Sequence, residues 1–92
     1  MVERKVQITH IEDHEFELAT MVVQTAGRYN SVISIIMDNK RVNAKSIMGM
    51  MTLGLMEDDE VVVTADGADE AEALESMTKL LNRSKEENYT RK

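Results

Sequence analysis

The chain has 92 residues, enough for one small domain with a two-layer core, and its 42% hydrophobic content excludes wholesale disorder. Seventeen acids against 11 bases give a net charge of −6, and no basic run with interleaved aromatics occurs, so neither nucleic acid nor an anionic membrane is an expected partner. With no cysteine, disulfides, thiolate metal sites and thiol nucleophiles are excluded.

The opening MVERKVQI lacks the apolar region of a signal peptide, and no apolar run approaches the ~18 residues of a membrane helix. A soluble, cytoplasmic domain is expected. There is no Trp, one Phe and two Tyr, so aliphatic residues and eight Met must fill the core.

Val2, Val6 and Ile8 alternate with polar neighbours, which predicts a strand with one buried face, interrupted at Arg4. His10 to Glu15 is dense in charge and reads as a loop. From Phe16 the apolar spacing changes to three and four (Leu18, Ala19, Val22, Val23, Ala26), an amphipathic helix ended by Gly27, with Asp13 as a candidate N-cap. Ser31 to Met37 and Lys40 to Asn43 form a hairpin around Asp38-Asn39. Ser46 to Leu53 is a short helix, with Ser46 as its cap toward the N–H of Gly49. Glu60 to Ala65 is a further strand. Asp66-Gly67 turns the chain into a last helix, with Asp69 as cap and Glu72 completing a near capping box. Its inner stripe is Ala73, Leu74, Met77, Leu80 and Leu81. Residues 1–82 form the domain, and 83–92 are expected to be a flexible tail.

This order predicts an α+β fold: an open-faced two-layer β-sandwich, a four-stranded antiparallel sheet covered on one face by three helices. Three helices share one sheet face, so the outer side of the short middle helix should carry bare apolar surface. The stretch Val42 to Leu53, VNAKSIMGMMTL, then admits three uses: a modification site, a greasy docking patch, or ordinary core.

NAKSIMG at 43–49 resembles the regulatory-serine segment of HPr, the small phosphocarrier of the bacterial sugar phosphotransferase system. The likeness continues in MMTLGL (50–55), VQTAGRYNS (23–31) and GADEAEALE (67–75). It covers the chain to about Leu81, and it implies the βαββαβα sandwich read above. It also implies phosphorylation of Ser46 by HPr kinase/phosphorylase, followed by binding to a catabolite-control repressor. Lys45, Ile47, Met48, Gly49 and Met51 would form the partner-binding surface, with Ile47 and Met48 partly exposed and Met50 packed inward.

The family's carrier motif, Gly-(Leu/Ile)-His-Ala-Arg-Pro-Ala, aligns with Asp13 to Ala19. Glu15 stands at the histidine and Glu17 at the arginine; only Ala19 matches. A phosphohistidine carrier needs an open imidazole and a nearby cation, which Glu15 and Glu17 do not supply. The carrier site therefore reads as degenerate, as in the catabolite-repression HPr-like proteins, with His14 or Glu15 as the residues an unorthodox carrier would use. Those relatives keep the arginine, so the repressor contact is the weaker expectation.

His10, Glu12 and His14 alternate and form a candidate metal set. That spacing arises easily in an acidic loop, so the favoured reading is no metal and no cofactor. No catalytic triad, phosphate loop or paired-carboxylate pattern argues for an enzyme.

Overall fold

The computed structural model describes residues 1–9 and 15–82 (for 15–17, the backbone alone). The predicted tail and the His10–Glu12–His14 set lie outside the described residues. In chain order the elements are β1 (Val2–Gln7), α1 (Glu15–Ala26), β2 (Val32–Met37), β3 (Lys40–Asn43), α2 (Ile47–Leu53), β4 (Glu60–Asp66) and α3 (Glu70–Leu81). The strands form one antiparallel sheet in the order β1-β4-β2-β3.

Strand alternation sorts the side chains. Val6, Ile33, Ile35, Val61, Val63 and Ala65 face the helices and are buried there. They meet Leu18, Ala19, Val22 and Ala26 of α1, Met50 and Leu53 of α2, and Ala73, Leu74, Met77 and Leu81 of α3. The opposite face is open: Lys5 pairs with Val62, Val62 with Ile36, and Ile36 with Arg41, while Val32 is largely exposed. β4 lies between β1 and β2, and the Val61–Val63 run suits that central position. Arg4 interrupts the apolar alternation because β1 is an edge strand. Its guanidinium reaches the flank of α3, 3.2 Å from Glu75 Oε1, rather than entering the core.

The hairpin β2–β3 turns through Asp38, whose φ of 58° is the left-handed conformation that a tight two-residue turn requires. The start of α3 differs from the sequence expectation. Asp69 stands at the N-cap but makes no side-chain cap bond, and Glu72 completes no capping box. Its carboxylate instead accepts from the backbone N–H groups of Asn30 (2.8 Å) and Ser31 (3.0 Å) and from the Ser31 hydroxyl. Three donors at the mouth of β2 outcompete one N–H of its own helix. These bonds, the Ser31 hydroxyl first, hold the Asp69 carboxyl below its usual pKa. Glu70 closes the turn by accepting from the Gly67 N–H at 3.1 Å. That bond, with the amino terminus 3.4 Å away, lowers its pKa as well. Gly67 passes so close to β2 that a Cβ there would lie 2.7 Å from both Cα and Oγ of Ser31. Only glycine fits this approach.

Candidate functional site

The short helix is built as its sequence suggests. Ser46 adopts an extended backbone (φ −106°, ψ 115°), and its Oγ accepts the Gly49 N–H at 3.1 Å. The Ser46 carbonyl accepts from Met50 at 2.9 Å, which starts the helical ladder, and Gly54 ends the helix in the left-handed conformation. The approach to Ser46 is fixed by Asn43, whose carbonyl accepts the Ser46 N–H and whose Oδ1 accepts the Lys45 N–H. Before it, Ala44 N–H bonds the Ile33 carbonyl of β2, so the serine is anchored to the sheet. Ser46 is half-buried.

Helical spacing divides the methionine-rich segment into two faces. Met50 and Leu53 are 1% and 5% exposed and hold α2 to the core, whereas Met48 and Met51 are 76% and 50% exposed and Ile47 is 36% exposed. Apolar area left in water forgoes about 25 cal/mol per Å², so Met48 contributes little to folding, while Met51 and Ile47 contribute through the parts that are covered. The ordinary-core use holds for Met50, fails for Met48, and applies only in part to Ile47 and Met51.

The Lys45 ammonium is bonded away from the Ser46 hydroxyl. It donates to the Tyr29 carbonyl at 2.7 Å, tying the segment before α2 to the end of α1. Sequence reasoning missed both this tie and a local charge reversal. Between Leu18 and Met56 the acid is Asp38 and the bases are Arg28, Lys40, Arg41 and Lys45, a local balance of 4 − 1 = +3 in a chain of net −6. All four bases are exposed, on β3 and the loops either side of the hairpin. The signal was present in the charge order but hidden by the overall acidity.

Glu15 is the first residue of α1, and Glu17 follows within its first turn. Their side chains, and His14 before them, lie outside the described residues. Among the described residues no group of three His, Cys, Asp or Glu converges as a metal site. No helix there is long and apolar enough to cross a membrane.

Residues 2–83 match the PTS-HPr family, described as "PTS HPr component phosphorylation site". The chain is similar to HPr-C-His from Thermoanaerobacter tengcongensis, with 38% identity over 89% of this chain and 92% of that one, and a TM-score of 0.79. It is similar to the phosphocarrier protein HPr from Bacillus anthracis, with 36% identity over 87% and 95%, TM-score 0.81. It is also similar to the catabolite repression protein Crh of Bacillus subtilis, with 38% identity over 91% and 97%, TM-score 0.72.

Proposed function

This chain belongs to the HPr family, whose members are phosphocarriers and related regulators rather than enzymes, and from that premise we propose that it is a regulatory HPr-like protein of the cytoplasm. HPr kinase/phosphorylase phosphorylates Ser46, and the modified chain acts as a co-effector by binding a catabolite-control repressor. The observation that carries the reading is the pairing of an intact serine segment with a lost carrier motif. NAKSIMG begins a capped helix with a half-buried serine at its start and apolar side chains turned outward. The carrier motif has Glu15 and Glu17 at its histidine and arginine.

The chemistry of Ser46 supports modification without unfolding. A phosphate there adds about −1.5 to −2 charge beside backbone N–H groups at a helix start, a stabilising position. It also falls within the locally basic part of the chain, where Arg28, Lys40, Arg41 and Lys45 offset added negative charge. Ile47, Met48, Gly49 and Met51 supply the adaptable apolar surface that a kinase and a repressor would cover. Glu17 weakens the repressor half, since in the sequence motif it replaces the arginine that the family's repressor contact also uses.

A second reading keeps a carrier role through His14 or Glu15, and the phosphorylation-site family match favours it. Two incubations separate them. With HPr kinase/phosphorylase and ATP, the wild type should gain one phosphate, and Ser46→Ala none. Equal labelling of both, or of neither, refutes the regulatory reading. With Enzyme I and phosphoenolpyruvate, the intact mass should stay unchanged; acid-labile phosphate on His14 or Glu15 would establish the carrier instead.

A further inference from the structure

The eight methionines differ sharply in exposure. Met50 and Met77 are 1% and 0% exposed, while Met48 and Met51 stand out from one side of α2, three residues apart, with Ile47 between them and Ser46. Met1 and Met56 are exposed elsewhere. The chain has no cysteine and no tryptophan, so an oxidant meets these thioethers as its softest targets. We propose that Met48 and Met51 form a peroxide-sensitive modification site whose conversion to sulfoxide shuts off partner docking on α2. The inference rests on the proposed use of this face by the kinase.

The step needs only a peroxide as co-reactant. A lone pair on the methionine sulfur attacks one peroxide oxygen, the O–O bond breaks, and the sulfur keeps that oxygen. The departing hydroxide takes up the proton released in the same step and leaves as water. Sulfur loses two electrons and the peroxide gains them. No side-chain base or metal takes part, so solvent access to the sulfur governs the rate.

Oxidation changes the surface and spares the fold. Met50 and Leu53 hold α2 to the core, and the outward side chains can become polar without disturbing that packing. The S=O group is a strong hydrogen-bond acceptor. A partner that covers it with apolar surface must strip its water without replacing the bond, so docking weakens. The loss is reversible, because methionine sulfoxide reductases restore the thioether.

The test treats the full chain with graded hydrogen peroxide, maps sulfoxides by peptide mass, and measures Ser46 phosphorylation by HPr kinase/phosphorylase. Met48 and Met51 should oxidise on the order of tenfold faster than Met50 or Met77. Phosphorylation should fall about tenfold, equivalent to about 1.4 kcal/mol of transition-state binding. Reduction with methionine sulfoxide reductases of both stereospecificities should restore it. A Met56→Leu chain should remain peroxide-sensitive. A Met48→Leu/Met51→Leu chain, compared with its own untreated sample, should not. Equal oxidation of Met50 and Met48, or unchanged phosphorylation of chains oxidised at both α2 positions, overturns the inference alone. No phosphorylation of the untreated chain overturns the regulatory reading and this inference with it.

Discussion

Replacing Gly49 with alanine separates what the fold needs from what the site needs. Gly49 is the third residue of α2 and has no positive φ. An added Cβ would lie 3.4 Å from Val42 Cβ, 3.4 Å from Ser46 Oγ and 3.5 Å from Ser46 Cβ, all ordinary van der Waals contacts. No steric penalty therefore opposes the gain in helix propensity, about 0.5–1 kcal/mol for glycine to alanine. At about 4–8 °C per kcal/mol for a domain of this size, Gly49→Ala should raise Tm by roughly 2–8 °C, toward the low end because the position is near a helix end. The same methyl narrows the space around the Ser46 hydroxyl. Displacing an approaching phosphoryl donor by even part of an ångström is costly, so Ser46 phosphorylation should slow by on the order of tenfold or more. Thermal melts followed by circular dichroism and initial rates with HPr kinase/phosphorylase measure the two effects. A lower Tm would show that packing around Val42 is tighter than these distances allow. An unchanged phosphorylation rate would show that the glycine leaves no space the kinase uses.

Two further predictions concern the tie between β2 and α3. Gly67→Ala places a Cβ against Ser31 backbone at 2.7 Å, so it should destabilise by about 1–3 kcal/mol; an unchanged urea midpoint would refute the close approach. The lowered pKa values of Asp69 and Glu70 stabilise the fold above the ordinary carboxylate range, near pH ~4. That contribution should be lost as pH falls through the lowered folded values. Asp69→Asn should therefore lower the urea midpoint at pH 7 and flatten its acid dependence; parallel curves for the two chains would contradict the assignment.

The fold was legible because its signals are local and periodic. Alternation along β1 and the Asp38-Asn39 turn each required a few neighbouring residues, as did the Ser46 cap with its Gly49 N–H. The exposure of Ile47 and Met48 was expected with Met50 turned inward, whereas the half-exposure of Met51 was not assigned from the sequence. Signals that failed are those decided across the chain. Asp69 has every local attribute of an N-cap, yet its carboxylate binds Asn30 and Ser31, 39 and 38 residues earlier. Lys45 sits beside Ser46 in sequence, while its ammonium finds the Tyr29 carbonyl, 16 residues away. Arg4 looks misplaced in a strand until α3 brings Glu75 beside it. A single sequence carries no record of which of several polar partners will be nearest after the layers close. The family likeness added what periodicity cannot, namely an expected role for the serine.

The position of β4 bears on how the chain can assemble. β4 is the last strand in sequence, but it is hydrogen-bonded to both β1 and β2. A chain emerging from a ribosome can close the β2–β3 hairpin early, through neighbours such as Met37 and Lys40. A lone hairpin is at best marginally stable in water. β1 has no partner until residues 60–65 exist, so the strand made first must wait for the strand made last. Sheet formation beyond the hairpin is thereby delayed until nearly the whole domain is available, and the long loop between β1 and β4 slows their pairing relative to local contacts. A fragment ending before Glu60 should hold no sheet beyond that hairpin, and truncation there removes the fold as a unit rather than trimming one edge.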